Sequence, residues 1–455
     1  MTSNQIVVIS GGTATNYILD AFPQPVSFVL PVSDNGGSSS EVIRVLGGCA
    51  VGDLRSRLVR LIPTDTAEGR GLRELLGHRL PSSKSLSIPT PAELEWHHIL
   101  SGHHPLWVPI PASVRELLRA FMLHADTEIQ KRSRLRFKFE SASVGNLFLA
   151  GARTFFGDID SAVEFVLRVA RVASDTDVMG CLNTLFTYHI AAEGVNGEII
   201  TGQSQISHPV PVSTEAEPAR RQSEGNVDSD IPTGLSSLTL RPNLSVEDLV
   251  SPIDDTIHPS LRLSQLHFNK DCIPPLESPI ARVYYISPYG EEIHPKASDK
   301  TLEALNYSDV VIYSVGSLWT SLVPVLILRG VAEVILNRSS IKSSLKHQGQ
   351  NSGPKRKILL LNNAYDRETN GLSVIDFLRV IRGSLEYSLM GDRRSVYAKG
   401  YSLRLKDVVD EVVYLDSGEI QISDNEKELL ALKGIKLTSI AGTEFDVEKL
   451  TGIFN

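Results

Sequence analysis

Glycine, serine and aspartate are concentrated in two short stretches that could bind a phosphate group, residues 10–16 and 33–40. Glycine matters in such a stretch because a Cβ atom would keep a phosphate from approaching the backbone. An acidic side chain among these glycines adds the chemistry of a nucleotide site. The candidate ligand-binding residues of the two stretches are Gly11, Gly12, Thr13, Asp34, Asn35, Gly36, Gly37 and Ser38.

Each stretch follows an apolar run, residues 6–9 and 26–32, and precedes a predicted helix. An apolar run bounded by turn residues is typical of a buried parallel strand. The spacing of Ile18, Leu19 and Phe22 predicts a helix after the first turn, and residues 41–46 form a second. A helix N-terminus offers free N–H groups and a positive dipole end to an anion. Both turns are therefore candidate phosphate-binding turns.

Neither turn matches a standard nucleotide motif. The first is not G-x-G-x-x-G, because Ala14 and Asn16 stand where that motif has glycine, and it is not G-x-x-x-x-G-K-[ST] either. The glycines could simply make tight connections between strands and helices, so both interpretations stay open.

Residues 52–61 predict a helix with charged residues beside an apolar face. Asp53 is suited to the N-cap position, and three leucines share one face. Arg55, Arg57 and Arg60 leave that face. They could contact an anionic substrate or lie on a solvated surface.

A third turn, residues 314–324, follows a predicted buried strand at 309–313 and opens another helix. Ser317, Thr320 and Ser321 offer hydroxyl groups where the helix dipole already favours phosphate. Gly316 lies in the same turn.

Asn146 lies in a turn of small residues before an apolar helix. Its amide could contact a ligand, and helix capping is the alternative that side-chain chemistry alone favours.

Two histidine pairs, His97–His98 and His103–His104, suggest zinc. They include no i,i+4 pair and no obvious acidic third ligand, so exposed loop histidines are the preferred interpretation.

The remaining pattern alternates strands with helices. Residues 131–140 alternate apolar and basic side chains, which predicts a half-buried strand. Asp160 is predicted to cap a helix that runs to residue 172. An Asn-Gly pair at 196–197 predicts a hairpin between strands 183–192 and 195–200. Further strands are predicted at 280–286, 357–361 and 408–415, and further helices at 114–123, 301–307 and 374–381.

These elements predict an α/β fold with a Rossmann-like, doubly wound, mainly parallel sheet. Ligands bind such sheets beyond the carboxyl ends of the strands, at a switch point in the strand order. The three turns are expected to converge there.

Composition sets the context for that fold. The chain has 455 residues, 42% hydrophobic residues and a net charge of −8, which argues against nucleic-acid binding. Cys49, Cys181 and Cys272 form neither a disulfide framework nor a metal motif.

No apolar run is long enough to cross a membrane. We expect a cytoplasmic protein without membrane or nucleic-acid partners. A homodimer is an expectation that the sequence leaves open.

The motifs taken together resemble the family that unites the 2-phospho-L-lactate transferases with the bacterial gluconeogenesis factor proteins. The resemblance spans nearly the whole chain as one Rossmann-like α/β domain, residues 1–455, with apparent insertions at about 64–111, 203–279 and 339–356. The second turn and the Gly-Asp-Leu-Arg motif are closer to the gluconeogenesis factor branch. The motifs that carry the resemblance are residues 10–13, 32–39, 52–55, 145–147, 196–197, 201–204 and 315–321.

This resemblance implies a site for a nucleotide-linked small molecule. Gly11, Gly12 and Thr13 would hold phosphate, and Asp34 would bind magnesium or orient the acceptor hydroxyl. The site would also include residues for the nucleotide diphosphate and its surroundings, namely Asp53, Arg55, Asn146, Gly316, Ser317 and Thr320. In the transferase branch a phospholactyl-type group passes from a GDP-linked donor to a deazaflavin hydroxyl. The other branch is associated with nucleotide-sugar binding and metabolic regulation.

The chain departs from its relatives at two positions. Ala14 stands where relatives often have glycine, and Asn35 where they have a second acidic residue, which weakens the expected metal site. Two hypotheses therefore remain. A transferase that acts on a nucleotide diphosphate-linked donor is favoured over a non-catalytic regulator that binds a UDP-sugar. A nicotinamide dehydrogenase is a distant third, because the motif glycines and the acidic residue that binds ribose are not convincingly placed.

Overall fold

The main sheet has seven parallel strands and is flanked by helices. The computed structural model describes residues 4–82, 88–132, 135–208, 275–337, 353–390 and 402–454. The strands of the main sheet are β1 (Ile6–Ile9), β2 (Val26–Leu30), β3 (Thr176–Gly180), β8 (Val310–Tyr313), β9 (Arg356–Leu360), β10 (Glu411–Leu415) and β11 (Lys436–Ile440). They lie in the order β11-β10-β9-β8-β1-β2-β3. This arrangement confirms the predicted Rossmann-like α/β fold.

β1 lies inside the sheet, between β2 and β8, and marks the switch point. Ile6 pairs with Val26 of β2 on one side and with Val310 of β8 on the other. The chain winds outward from β1 in both directions, so the ends of β1 and β8 diverge into loops that leave a crevice. Every residue of β1, β2 and β8 is buried. Continuous burial is expected of central strands that are covered on both faces.

A second, antiparallel sheet lies beside the main sheet, with the strand order β5-β4-β6-β7. Its strands are β4 (His189–Gly194), β5 (Ile199–Thr201), β6 (Ile280–Ile286) and β7 (Glu292–Ile293). The Asn-Gly pair forms the β4–β5 turn as predicted, with Gly197 at φ 84°. The sequence pattern predicted this hairpin but not the separate sheet.

α6 is the central helix of the layer that borders the site, and it packs against α1, α3, α5 and α7. The helices are α1 (Gly37–Leu46), α2 (Gly52–Leu61), α3 (Ala67–Gly77), α4 (Pro91–Ser101), α5 (Ala112–Gln130), α6 (Val144–Phe156), α7 (Ile159–Val169), α8 (Gln203–Ser207), α9 (Asp299–Tyr307), α10 (Val323–Leu326), α11 (Val331–Ile335), α12 (Val374–Met390), α13 (Leu405–Val408), α14 (Asp424–Leu432) and α15 (Val447–Phe454). Leu318–Leu322 form a π-helical turn before α10.

The prediction of a helix after the first glycine turn is wrong. Two 3₁₀ turns, Ala14–Tyr17 and Leu19–Ala21, connect β1 to β2 instead. Pro23 and Pro25 follow at once, and proline disfavours helical backbone in the residue before it. The backbone accordingly turns extended at Phe22, with φ −89° and ψ 111°, and continues into β2.

The strand predicted at 131–140 is also wrong in the described part of that stretch, which excludes residues 133–134. Phe137 and Phe139 are buried and Lys138 is exposed, so the alternation is real. No strand pairs with the segment. Its backbone bonds to α1 side chains instead: Lys138 N donates to Glu41 Oε1 at 2.6 Å, and Arg44 Nη2 donates to the Arg136 carbonyl at 2.6 Å.

Two helix starts differ from the prediction. α7 is capped by Asp158, whose carboxylate accepts from the backbone of Ser161 at 2.8 Å, and not by Asp160. α4 lies within the insertion predicted at 64–111, where the histidine pairs were expected in a loop. It begins at Pro91 in a capping box, with Glu93 N donating to Thr90 Oγ1 at 3.2 Å and Thr90 N donating to Glu93 Oε2 at 2.7 Å. Proline is well suited to the first helical position, so Pro91 starts this helix.

Most of the predicted insertions at 203–279 and 339–356, and Cys272, lie outside the described residues. Cys49 and Cys181 are buried free thiols. Among the described residues, no helix combines the length and the apolar character that crossing a membrane requires.

Candidate functional site

A cleft of about 1150 Å³ opens at the carboxyl ends of β1, β2 and β8. The three predicted turns converge on it, together with α8 and the loop after β9. Of the predicted site residues, all line this cleft except Asn35. Ser321 of the third turn lines it as well. The lining residues that were not predicted are Ala14, Ser39, Gly52, Ser56, Arg79, Ser82, Ser141, Gln203, Ser204, Ser207, His208, Asp366, Arg367 and Glu368.

The first turn lies directly against α2. A Cβ atom at Gly12 would fall 2.5 Å from the Asp53 Cα atom, so glycine is required by this close approach. The Asp53 carboxylate lies beside the Gly12 backbone N–H, which acts to lower the pKa of that carboxyl. Asp53 is not the N-cap of α2, because Val51 holds that position and the helix begins at Gly52.

The second turn places Asp34 at the start of α1. Asp34 Oδ1 accepts a hydrogen bond from Gly36 N at 2.9 Å, which orients its carboxylate. A Cβ atom at Gly52 would lie 3.1 Å from Asp34 Oδ2, so the N-terminus of α2 lies beside the same carboxylate. Asp34 and Asp53 thus approach one another across the first turn of α2.

Burial raises the pKa of Asp34, while the Gly36 N–H, Arg55 and Arg79 act in the opposite direction. Burial, and then the charge of Asp34, raises the pKa of Asp53 to about 7. Both residues are half-buried and line the cleft. Two neighbouring carboxylates disfavour double ionisation, so the pair readily retains a proton or accepts a cation.

Arg55 and Asn146 form the wall beside this pair. Arg55 Nε donates to Asn146 Oδ1 at 3.3 Å, and Asn146 Nδ2 donates to Ser38 Oγ at 2.9 Å. Burial and the neighbouring Arg79 lower the pKa of Arg55 to about 10, so Arg55 stays charged at neutral pH. The capping interpretation of Asn146 is wrong, because Ser143 caps α6. Asn146 instead ties α6 to α1.

The third turn is fixed by Asn362. Asn362 Oδ1 accepts from Gly316 N at 3.0 Å, and Asn362 Nδ2 donates to the Gly316 carbonyl at 2.7 Å. Gly316 has φ 139°, a conformation that favours glycine. This turn lies against the first one, because a Cβ atom at Gly11 would fall 2.5 Å from Ser321 Oγ.

Glu368 is a functional candidate that the sequence analysis missed. Its carboxylate is 6% exposed and accepts hydrogen bonds from three hydroxyl groups: Thr320 at 3.0 Å, Ser317 and Ser207. Burial, and then the charge of Asp366, raises its pKa to about 7. Ser317 and Thr320 therefore direct their hydroxyls at Glu368. The available signal was its position in a polar run after the buried strand β9.

Asn35 does not line the cleft. It is 5% exposed, and its Oδ1 accepts from Ser204 N at 3.0 Å and from Ser204 Oγ at 3.1 Å. On the other side of α8, Arg367 Nη1 donates to the Gln205 carbonyl at 2.7 Å. Asn35 thus holds α8 in place between the loops after β2 and β9.

The histidines of the two predicted pairs do not line the cleft. His97 and His98 are exposed on α4, which corrects their assignment to a loop, and His103 is exposed after it. His104 contacts Glu95, with 3.5 Å between its Nε2 and Glu95 Oε1. Within the described ranges, no three His, Cys, Asp or Glu side chains form a group that could hold a metal ion.

The comparisons with known proteins agree with this geometry. The model of the family "2-phospho-L-lactate transferase CofD" matches residues 6–429. An uncharacterized Saccharomyces cerevisiae protein is 38% identical over 467 residues, covering 99% of this chain and 98% of the yeast protein. A gluconeogenesis factor of Halalkalibacterium halodurans is 24% identical over 209 residues, covering 45% of this chain and 46% of its own length.

Solved structures show the same fold. Two crystal structures of one Bacillus halodurans protein, a member of the UPF0052 family, superpose with a TM-score of 0.55 at 18% identity. The first covers 100% of this chain and 99% of the bacterial one, and the second covers 99% of each. The family match spans most of the residues that build the sheet and all of those that line the cleft. The chain belongs to the 2-phospho-L-lactate transferase CofD family.

Proposed function

We propose that this protein is a transferase of the phospholactate transferase type. It binds a nucleotide diphosphate-linked donor in the cleft and passes a phospho-linked group to an acceptor hydroxyl. The observation that carries the proposal is the pair Asp34 and Asp53, which lies between two glycine turns at the switch point of the sheet. Such a pair is suited to phosphoryl chemistry, because it can hold a dication or accept a proton.

The donor would lie along the three turns. Backbone N–H groups at the start of α1, and the glycines of the first and third turns, offer close approach to a diphosphate. The cleft volume of about 1150 Å³ exceeds that of a typical single-ligand pocket. It therefore has room for a donor and an acceptor together.

The residues present fit a magnesium ion. Asp34 and Asp53 supply hard oxygen donors, and their mutual repulsion would be relieved by a dication. Magnesium commonly uses one or two carboxylates and takes its other ligands from water and substrate phosphate, so the lack of a third protein ligand in the described cleft is compatible with it. A bound ion would neutralise charge on the phosphate oxygens.

The protein's own side chains would supply the remaining catalysis by positioning the reactants, stabilising charge and accepting a proton. Arg55 and Arg79 face the carboxylate pair and would stabilise negative charge on the transferred group. The ionised member of the pair would accept the proton of the acceptor hydroxyl as its oxygen bonds to the distal phosphorus of the donor. The diphosphate P–O bond breaks in the same step, and the nucleoside monophosphate is the leaving group. No covalent protein intermediate is required, since holding both reactants in the cleft supplies much of the rate enhancement.

The test combines binding and turnover. Calorimetry would measure GDP binding with and without magnesium, and ³¹P NMR would follow transfer from a GDP-linked phospholactyl donor to a deazaflavin alcohol. Asp34→Asn and Asp53→Asn should each lower turnover at least about 100-fold, while GDP binds without magnesium as in the wild type. Asp20→Asn, which changes an exposed carboxylate on the β1–β2 connection, is the matched control. Wild-type turnover in either cleft variant would disprove the role of the pair.

A second function is a regulator that binds a nucleotide sugar without turnover. Two observations favour it. The chain is similar to a gluconeogenesis factor. In addition, the Ser317 and Thr320 hydroxyls donate to Glu368, so they are not directed at the phosphate of a donor. Tight binding of a UDP-sugar that is independent of magnesium, with no transfer under any condition tested, would favour this function over the first.

A further inference from the structure

Arg57 lies beneath the first glycine turn and outside the cleft. It is completely buried on α2, and its guanidinium packs over the Phe28 ring with Cζ 4.8 Å from the ring centroid. Arg57 Nη2 donates to the Gly11 carbonyl at 2.9 Å and to Ser10 Oγ at 3.0 Å. The side chain therefore contacts the turn from the side opposite to the cleft.

Arg57 and Asp53 hold one peptide group between them. The Gly11 carbonyl and the Gly12 N–H belong to the same planar peptide and point in opposite directions. Arg57 donates to the carbonyl, and the Asp53 carboxylate lies beside the N–H. The two side chains stand four residues apart on α2, so they project from the same face of that helix. α2 thus contacts both the carbonyl and the N–H of this one peptide group, which fixes the orientation of the turn.

The charge of Arg57 is poorly compensated inside the protein. Its two hydrogen-bond acceptors are neutral, and its buried Nε and Nη1 have no hydrogen-bond partner among the described residues. Burial lowers the pKa of Arg57 to about 9, and the charge of Asp53 offsets only part of that effect. Arg57 is thus still protonated at neutral pH. Burying a cation that is only partly compensated is costly, and an apolar side chain of similar size would often be at least as stable in its place.

We propose that Arg57 is a positioning residue for an anionic phosphate group that binds on the cleft side of the first turn. It fixes the Gly11–Gly12 peptide and places a positive charge on the side of the turn opposite to the cleft. A phosphate bound on the cleft side supplies the negative charge that offsets the charge of Arg57. This inference rests on the proposed function, because it takes the diphosphate of the donor as the anion.

The test uses inorganic pyrophosphate and GDP as probes in calorimetry with the full-length protein. Arg57→Met removes the charge and the hydrogen bonds, whereas Arg57→Lys keeps the charge. Arg57→Gln, which is polar and uncharged, serves if the methionine variant does not fold. Arg60→Met is the matched control, since Arg60 is exposed on the same helix and donates to the Asn16 carbonyl at 3.2 Å.

We expect Arg57→Met and Arg57→Gln to bind pyrophosphate about 10- to 100-fold more weakly than the wild type. Arg57→Lys should stay within about threefold of the wild type, and Arg60→Met should be unchanged. A purely structural role would instead make the lysine variant as weak as the methionine variant, and that result would overturn the inference. Wild-type affinity in Arg57→Gln would also overturn it.

The two proposals can fail separately. If the wild type binds pyrophosphate but not GDP, the nucleotide-dependent function fails, and the pyrophosphate data still decide the role of Arg57. If the wild type binds GDP and not pyrophosphate, the turn does not hold the anion by itself and the Arg57 inference fails. Failure to bind either probe overturns both.

Discussion

Asn35 Oδ1 accepts two hydrogen bonds from Ser204, one from the backbone N–H at 3.0 Å and one from the hydroxyl at 3.1 Å. Both residues are buried, and the contact joins the loop after β2 to α8. An aspartate could accept the same two bonds. Asparagine and aspartate at position 35 are therefore both compatible with this structural role.

This contact predicts the behaviour of two variants. Asn35→Ala leaves the Ser204 N–H and hydroxyl without an acceptor and should lower the free energy of unfolding by about 1–3 kcal/mol. Asn35→Asp should be less destabilising, because the acceptor remains. Urea unfolding of the three proteins at pH 8 would measure both differences. Equal losses in the two variants would show that the acceptor oxygen is not the important feature.

Gly12→Ala is expected to disrupt the first turn. The added Cβ would fall 2.5 Å from the Asp53 Cα atom and 2.6 Å from Asp53 Oδ1, so turn or helix must shift. We expect a loss of at least about 1 kcal/mol in stability, with weaker binding of pyrophosphate. Gly383→Ala in α12 is a control of opposite sign, because in the described part of the chain no atom beyond its neighbours and the helix's own backbone lies within 4 Å of its added Cβ. Since alanine is the better helix former, this control should gain about 1 kcal/mol. Thermal and urea unfolding would compare the two, and a Gly12→Ala protein as stable as the wild type would contradict the prediction.

Glu368 should make the protein less stable as the pH rises. The pKa of Glu368 is raised from 4.5 to about 7 in the folded protein, so the folded state binds the proton more tightly than the unfolded state. The free energy of unfolding should therefore fall between about pH 4.5 and pH 7, by up to about 3 kcal/mol from this group, and level off above that range.

The measurement is the difference between wild type and Glu368→Gln in urea unfolding from pH 4.5 to 8. The glutamine side chain is neutral throughout, so the wild type should lose stability relative to the variant as the pH rises. Titration of Asp53 occurs in both proteins and cancels in the difference. Two parallel pH curves would show that Glu368 does not titrate in this range.

The sequence predicted the parts of the site that local patterns determine. The turns at Gly11, Gly36 and Gly316 each follow a buried strand, and parallel strands bring their carboxyl ends to one edge, so their convergence could be inferred. Asp53 was predicted as a cap because its local context fits one. Its actual partner, the Gly12 N–H, is brought to it by tertiary packing that the local sequence does not contain.

Longer-range contacts explain the other misses. Glu368 becomes buried through hydroxyls from two other segments, including Ser207, which lies 161 residues away in the sequence. The segment around Phe137 has the alternation of a strand, yet α1 side chains satisfy its backbone. Neither result is visible in a local window, because both depend on which partner the fold brings near.

The position of β1 between β2 and β8 also determines the order in which the cleft can form during synthesis. The first and third turns are joined by a hydrogen bond between Thr15 and Ser314, which lie 299 residues apart, so the ribosome makes the first turn long before the third. Until β8 is made, one edge of β1 lacks the strand that pairs with it, and the first glycine turn lacks its neighbour at Ser321. A nascent chain that ends before β8 can therefore contain the Asp34–Asp53 pair without the third turn of the cleft. The contact between the first and third turns thus forms only after the third turn has left the ribosome.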